Sequence, residues 1–299
     1  MKRDVSLILG SGGARGMAHI GVIRWLEDHG YTIRDIAGAS IGAVVGGIYA
    51  AGKLQEFEQW VRGISRVDIV SYLDVAWGGG GLVKGEKIIN TLTALVGDRR
   101  IEDLPIRFTA VATTLDRHED FHFRSGRLFD AIRASMSMPL LFKPFVLDGV
   151  TYIDGAVLNP LPLNAVTRTS QHVAVAVYCG GAPVNPDASE TALDEAGPSA
   201  TFMPAMLQDA QQRIRHFLKR IAPTEAQGST QERAMYDVAL QSLEAMQHSI
   251  ARREIERTPP DVLLEIPRNI CRTLEYDKAS EVIAAGYAIT EAALSKLDR

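Results

Sequence analysis

The stretch that most constrains the fold is RDIAGASIGAVVGGIYAAG, Arg34 to Gly52, which places five glycines and several alanines around a single serine, Ser40. Because glycine in a helix costs about 0.5–1 kcal/mol relative to alanine, this composition indicates a backbone that passes close to another part of the chain. Within it, the GxSxG pattern Gly38–Gly42 joins a short apolar run at 36–39 to a helical pattern at 41–51. That order is typical of a nucleophile elbow, a sharp strand-to-helix turn that carries a serine. A tight turn with a capping serine fits the same residues.

The first fifty residues alternate between apolar runs and helical patterns. Val5–Leu9 is a continuous apolar run of the kind found in strands buried on both faces, and a helical pattern follows over 14–29. Together with the strand and helix around Ser40, this alternation predicts a parallel α/β sheet. The same patterns predict further strands at 108–113, 151–153, 173–178 and 261–266, and further helices at 86–96, 127–136, 201–221, 229–258 and 277–297.

The composition argues against several classes of function. The net charge is −4 and no block of like charges occurs, so we expect no nucleic-acid partner. The two cysteines, Cys179 and Cys271, lack a metal-binding spacing, which indicates reduced thiols and no metal site. No apolar run reaches the roughly 18 residues of a membrane-spanning helix, and the first residues do not resemble a signal peptide. We therefore expect a cytoplasmic protein.

A second glycine-rich segment, Gly10–Gly16, lies between the first predicted strand and the first predicted helix. It partly matches the GxGxxG dinucleotide fingerprint, but Arg15 stands at the sixth position and no acidic residue ends the second strand. Bare backbone N–H groups at the start of a helix suit an oxyanion instead. In that case Arg15 adds a positive charge or braces the loop.

A nucleophilic serine needs a base. The histidines near these segments are predicted in a helix or beside a turn, where structural or solvated roles are more common: His19, His118 and His122. Asp154 directly follows the predicted strand 151–153, and the small residues Gly155 and Ala156 leave its carboxylate accessible. Partial desolvation raises the pKa of a carboxyl, which suits a general base. An Asp-Gly turn without a catalytic role fits the same residues.

Three motifs occur in order along the chain: SGGARG at Ser11–Gly16, GASIG at Gly38–Gly42 and DGA at Asp154–Ala156. In this combination the sequence resembles the patatin-like phospholipase family, near its bacterial and neuropathy-target-esterase-like branch. Further matching text is AHIGVI at 18–23, SMSMPLLFKP at 135–144 and DGAVLNPLP at 154–162, so the resemblance covers about Val5 to Val177. It implies a three-layer α/β/α fold with a mainly parallel central sheet, and a Ser-Asp dyad acting on lipid acyl esters.

The resemblance also implies roles for single residues. Ser40 would be the nucleophile and Asp154 the proton acceptor, while Gly12 and Gly13 would donate N–H groups to the oxyanion with Arg15 alongside. The remaining motif residues are Gly16, Gly38, Gly42, Gly155 and Ala156. One departure is Ser11, which stands where the family usually has the first glycine of its GGGx(K/R)G loop, and this substitution should spare the backbone donors.

We therefore predict a serine hydrolase that cleaves lipid carboxylic esters, of phospholipase or lysophospholipase type, through an acyl-enzyme and without a cofactor. A non-catalytic module that binds an anionic ligand, or an acyltransferase using the same serine, fits the residues too.

The predicted organisation is a catalytic core at 5–177, a flexible loop at 180–200, and a mainly helical part at 201–299 that completes the same domain. Its substrate would be a lipid ester, reached by peripheral contact at the inner membrane surface. Met136–Phe142 is predicted to line the acyl pocket, and the 201–221 helix is the alternative docking surface.

Overall fold

The computed structural model describes residues 3–65, 68, 69, 72, 83–167, 169, 171–184 and 230–295. The predicted helix at 201–221 lies outside these ranges, as does the predicted loop at 180–200 from residue 185 onward. The described residues form two compact units: the chain up to Ala182 together with Met246 onward, and the residues between them. The sheet and the site described below belong to the first unit.

Eight strands of the described chain form one sheet. In chain order they are β1 Arg3–Leu9, β2 Tyr31–Ala39, β3 Arg107–Thr114, β4 Glu119–Phe123, β5 Phe145–Leu147, β6 Val150–Asp154, β7 His172–Gly181 and β8 Val262–Pro267. The spatial order is β5-β6-β3-β2-β1-β7-β8, and β4 also pairs with β3. The pairs from β3 through β2, β1 and β7 to β8 are parallel, whereas β4, β5 and β6 join by antiparallel pairs. The sheet is therefore mainly parallel, as predicted.

The helices of the described chain are α1 Ala18–Asp28, α2 Ile41–Ala50, α3 Leu54–Arg62, α4 Glu86–Val96, α5 Leu128–Ser135, α6 Thr230–Arg257 and α7 Ala279–Leu294. A short 3-10 segment, Gly13–Met17, leads into α1. Residues of α6 up to Ala245 belong to the second unit, and those from Met246 belong to the first. Among these helices, no helix combines the length and apolarity needed to cross a bilayer.

Residues of the central strands point alternately into two buried cores, one on each face of the sheet. In β1, Leu7 and Leu9 belong to the core that includes α1, α2 and α7. Ile8, between them, belongs to a second core with Leu161 and with Ala251 of α6. Both faces are covered, which explains why the parallel strands read as continuous apolar runs. The predicted three-layer α/β/α arrangement is confirmed.

Helix α7 brings a distant segment of the chain to the first glycine loop. Its buried Ile283 shares a core with Trp25 of α1, and the Tyr287 hydroxyl donates a 3.2 Å hydrogen bond to Asp28. The residues just before α7 therefore lie beside the glycine loop, where the Ala14 N–H donates a 2.8 Å hydrogen bond to the carbonyl of Thr273.

Some elements differ from the sequence prediction for identifiable reasons. Strand β2 begins at Tyr31 rather than at residue 36, because Tyr31 and Ile33 alternate as buried residues with more exposed neighbours. Helix α3 was not predicted, although its buried Leu54, Phe57 and Val61 stand at helical spacing. Strand β5 was not predicted either. It is three residues long and pairs with β6, so a local pattern gives little indication of it.

Candidate active site

Ser40 stands on the turn between β2 and α2 in a conformation that few residues other than glycine adopt. Its φ is 56° and its ψ is −123°. A Cβ atom at Gly42 would overlap the carbonyl oxygen of Leu9, and one at Gly38 would overlap the carbonyl of Gly42. The glycines of the GxSxG pattern thus permit the close approach of β1 and α2 that supports the turn. This is the nucleophile-elbow geometry, and the strain at Ser40 is maintained by the surrounding packing.

The Ser40 hydroxyl donates a 2.7 Å hydrogen bond to Asp154 Oδ2, although the two residues are 114 positions apart in sequence. Strand β3 lies between their strands: Ala39 at the end of β2 pairs with Val111, and Asp154 at the end of β6 pairs with Ala112. The sheet order therefore brings the two strand ends together. Gly155 is required here, because a Cβ atom would overlap the carbonyl of Val111.

The carboxyl of Asp154 is fully enclosed by protein. Its side chain is buried, its Oδ1 accepts a 2.8 Å hydrogen bond from the Ala156 N–H, and its backbone N–H donates to the carbonyl of Ser137 at 2.9 Å. Burial raises the pKa of Asp154 to about 7, against the opposing effect of the hydrogen bonds from Ser40 and Ala156. The carboxyl is therefore balanced between its neutral and ionised forms near neutral pH, which suits exchange of a proton with Ser40.

Ser135 is a site residue whose role sequence reasoning missed. Its buried Oγ accepts a 2.9 Å hydrogen bond from the Ser40 N–H and donates a 2.6 Å hydrogen bond to the carbonyl of Val111. It thereby ties the end of α5 to the elbow and to β3. The sequence contains Ser135 within the SMSMP text, but a serine at a helix end gives no local indication of a partner 95 residues away.

In the glycine loop, the amides on either side of Gly12 and Gly13 are already used. Ser11 N–H donates to the carbonyl of Pro160 at 2.9 Å, and Ala14 N–H donates to Thr273. Within the described part of the chain, the N–H groups of Gly12 and Gly13 have no such acceptor. Gly13, with φ 56°, also borders the same cavity as Ser40. Two N–H groups of the loop thus remain available, and one of them belongs to a residue that shares the cavity with Ser40.

The Arg15 side chain donates hydrogen bonds to the backbone of the glycine loop and to the backbone near Arg268. Its Nε donates a 3.2 Å hydrogen bond to the carbonyl of Gly12, and its Nη1 donates to the carbonyl of Arg268 at the same distance. These two hydrogen bonds brace the loop against the C-terminal part of the chain, which is one of the two roles considered from the sequence.

None of the three histidines considered from the sequence is hydrogen bonded to Ser40 in the described structure. His19 is buried, and burial lowers its pKa to about 4, so its ring is neutral and Nε2 hydrogen bonds to the carbonyl of Gly10 at 2.8 Å. His122 Nε2 lies 3.0 Å from Asp120 Oδ2. His118 is in the turn before β4, with φ 56°. These placements agree with structural roles.

A largely apolar cavity of about 140 Å³ opens at Ser40. Its walls come from α2, α3 and α4, from the residues between α5 and β5, and from the segment before α7. The wall segment between α5 and β5 includes Met136, Met138, Leu141 and Phe142. The predicted acyl-pocket stretch therefore borders the same cavity as the serine.

A serine on a strand-to-helix elbow, hydrogen bonded to a buried carboxyl in a three-layer α/β/α fold, is an arrangement typical of serine hydrolases. The chain belongs to the patatin-like phospholipase family, whose model, described as Patatin-like phospholipase, matches residues 7–167. That span contains all three motifs. The protein is accordingly a hydrolase of the phospholipase and esterase class, and the resemblance inferred from the motifs is confirmed.

Two relatives by sequence agree with this placement. An uncharacterized NTE family protein of Mycobacterium tuberculosis is 34% identical over 331 residues, covering 98% of this chain and 92% of the relative. The lysophospholipase NTE1 of Yarrowia lipolytica is 32% identical over 184 residues, covering 59% of this chain and 13% of that protein. Among solved structures, VipD from Legionella pneumophila aligns with a TM-score of 0.48 and 15% identity, covering 99% of this chain and 67% of that chain.

Proposed function

We propose that the protein hydrolyses carboxylic esters of lipids, of the phospholipid or lysophospholipid type, through Ser40 and Asp154. The observation that carries the proposal is the 2.7 Å hydrogen bond from the Ser40 hydroxyl to a buried carboxylate, at the edge of an apolar cavity. A lysophospholipase among the relatives supports a lipid substrate. No metal or organic cofactor takes part in the proposed reaction.

In the first step, Ser40 Oγ attacks the ester carbonyl carbon while its proton moves to Asp154 Oδ2. The negative charge that forms on the carbonyl oxygen is stabilised by the N–H groups of Gly12 and Gly13 and by the positive end of the α2 dipole. The bond to the alcohol oxygen then breaks, Asp154 returns the proton to that oxygen, and the acyl group remains on Ser40. In the second step, water attacks the acyl-enzyme with Asp154 as the base and releases the fatty acid.

The proposed substrate orientation follows from the cavity. The walls contributed by α2, α3 and α4 are apolar, so the acyl chain lies against them and gains about 0.8 kcal/mol per buried methylene. The polar alcohol part of the ester then remains on the side of Ser40 and Gly13.

The test is a lipid hydrolysis screen with the parent protein and Ser40→Ala, together with labelling by a fluorophosphonate probe. Labelling and fatty-acid release by the parent, both lost in Ser40→Ala and kept in Ser280→Ala, are expected. Ser280 is an exposed serine on α7 and serves as the matched control. A parent that is not labelled and releases no acid would favour the non-catalytic alternative. Acyl transfer to an added alcohol without release of acid would favour the acyltransferase.

We further propose that the protein acts in the cytoplasm and reaches lipid by peripheral contact at the inner membrane surface. Leu140 supports this, because it is 39% exposed and lies between Met138 and Leu141, which border the cavity. Leu140→Asp should weaken co-sedimentation with anionic phospholipid vesicles, whereas Leu115→Asp, at a leucine that is 42% exposed, should not. Equal binding by all three proteins would exclude this surface.

A further inference from the structure

The segment Cys271–Lys278, before α7, contributes to the catalytic cavity although it lies beyond the residues matched by the family model. Thr273, Leu274 and Tyr276 all border the cavity that Ser40 and Gly13 border. One hydrogen bond joins the segment to the glycine loop, and an ion pair lies within the segment. The carbonyl of Thr273 accepts a 2.8 Å hydrogen bond from Ala14, and Lys278 Nζ lies 3.0 Å from Glu275 Oε2. The cavity wall beside the oxyanion loop is thus an ordered part of the fold.

Tyr276 differs from three other tyrosines of the chain in what its hydroxyl contacts. The hydroxyls of Tyr49, Tyr178 and Tyr287 are hydrogen bonded to Glu27, His248 and Asp28 respectively. Among the residues that the structure describes, the Tyr276 hydroxyl makes no hydrogen bond and is not one of the fully enclosed polar atoms, while its backbone N–H is bonded to the carbonyl of Leu274 at 3.0 Å. A half-buried phenol that borders an apolar cavity without a partner is suited to bind a ligand atom there.

The phenol borders the same cavity as Ser40, and the Asp154 carboxyl is close enough to act on it electrostatically. Burial, then the Cys271 thiol and the Asp154 carboxyl, raise the pKa of Tyr276 above its usual range. The phenol therefore keeps its proton at any pH at which the enzyme works, and it acts as a hydrogen-bond donor or acceptor rather than as an acid.

We propose that the Tyr276 hydroxyl contacts the substrate and donates a hydrogen bond to the alcohol oxygen of the scissile ester. This inference rests on the proposed function. In that reaction Gly12 and Gly13 take the carbonyl oxygen and the apolar walls take the acyl chain. The alcohol oxygen receives a proton from Asp154 but has no fixed hydrogen-bond donor. Negative charge grows on it as its bond to carbon breaks, before Asp154 returns the proton. A neutral donor beside the dyad stabilises that charge.

The amount by which loss of the Tyr276 hydroxyl slows the reaction must depend on the alcohol that leaves. Glycerol is a poor leaving group, and its oxygen carries substantial charge in the transition state. The oxygen of p-nitrophenol passes much of its charge to the nitro group and needs less stabilisation. We therefore compare two esters with the same acyl chain, a 1-monoacylglycerol and a p-nitrophenyl ester. A lost contact to the alcohol oxygen slows the first more than the second, whereas a general change in the cavity slows both equally.

The experiment compares kcat and KM of the parent and Tyr276→Phe on both esters. Tyr276→Phe should lower kcat for the monoacylglycerol about tenfold, the loss of one hydrogen bond that strengthens in the transition state, and lower kcat for the p-nitrophenyl ester less than about twofold. The ratio of the two rates does not depend on the fraction of folded enzyme. Tyr72→Phe removes a hydroxyl from another tyrosine that borders the cavity and should leave the ratio unchanged.

An equal loss on both esters, or no loss on either, would overturn the assignment of Tyr276 to the alcohol oxygen while leaving the proposed function intact. A change in KM alone would also overturn it, because the contact would then be equally strong in the ground state. If the parent hydrolyses neither this pair nor any lipid ester in the screen above, the proposed function fails instead.

Discussion

At the scale of the residue, Asp154 meets two opposed requirements. As the proposed base it must be ionised to accept the proton of Ser40, but its burial favours the neutral acid. The hydrogen bonds from Ser40 and Ala156 offset part of that penalty, and the resulting pKa of about 7 sets the pH range in which the proposed base is available.

The first prediction concerns the pH dependence of activity. Because only ionised Asp154 can take the proton, kcat/KM for a monoacylglycerol should rise about tenfold per pH unit below pH 7 and level off above it. Fatty-acid release measured from pH 5 to 9 gives the profile. His19 has a pKa of about 4 and should contribute no inflection in this range. A profile that is flat between pH 5 and 7 would contradict the role of Asp154.

The second prediction concerns stability and uses Asp154→Asn, which should also abolish turnover. The pKa of Asp154 is raised from 3.8 to about 7 on folding, so its stabilising contribution is complete below about pH 4 and is lost as the pH rises through 7. Asparagine stays neutral throughout. The variant should therefore melt higher than the parent by about 5 °C at pH 8, and the difference should shrink toward pH 4.

Thermal melts at pH 4, 6 and 8 measure this difference. Ser40→Ala is the control, because it removes activity but keeps the buried carboxyl, and it should not show the gain at pH 8. A difference between Asp154→Asn and the parent that does not change with pH would mean that Asp154 titrates normally.

At the scale of the element, the elbow depends on how α5, β3 and the β2–α2 turn are joined. The Ser135 hydroxyl makes this junction, since it links the Ser40 N–H to the carbonyl of Val111 in a buried position. A strained turn persists only when its surroundings hold it, and this hydrogen bond is one of the contacts that do so.

The third prediction is that Ser135→Ala lowers the free energy of unfolding by about 1–3 kcal/mol, because it leaves a buried N–H and a buried carbonyl without partners. It should also lower kcat more than it raises KM, since the position of Ser40 changes rather than the cavity. Urea unfolding and ester kinetics measure the two effects. Ser280→Ala, at an exposed position, should change neither the free energy of unfolding nor kcat. An unaltered kcat in Ser135→Ala would show that the elbow holds Ser40 in position without the Ser135 hydroxyl.

At the scale of the whole molecule, the cavity is assembled from segments that are far apart in the chain. Helices α2, α3 and α4, the residues between α5 and β5, and the segment before α7 each supply part of its wall. Substrate preference is therefore expected to respond to changes in elements that carry no catalytic group.

The fourth prediction is that kcat/KM rises with acyl-chain length in a series of p-nitrophenyl esters below their micelle concentrations, because each buried methylene contributes about 0.8 kcal/mol. Ile88→Trp, which fills space at the α4 wall, should lower kcat/KM for long chains and spare short ones. Asn90→Trp, at an exposed position on the same helix, is the control. A parent without chain-length preference would exclude the cavity as the acyl site.

The sequence by itself determined the features that depend on adjacent residues. The order of strand, glycine loop, helix, strand and elbow followed from contiguous patterns, because glycines are needed wherever the backbone approaches itself, as at Gly42 beside Leu9. The motif order was enough to identify the family. These features are local, so they are visible without knowing where the rest of the chain lies.

The tertiary structure decided what depends on distant pairs. The strand order β6-β3-β2 brought Asp154 to Ser40, burial then raised the pKa of its carboxyl, and the end of α5 supplied Ser135 to the elbow. The packing of α7 on α1 carried Tyr276 to the cavity from a region that the motifs do not reach. Desolvation and hydrogen bonding between residues 95 or 114 positions apart arise only when the chain is folded, because each depends on the positions of many other residues at once.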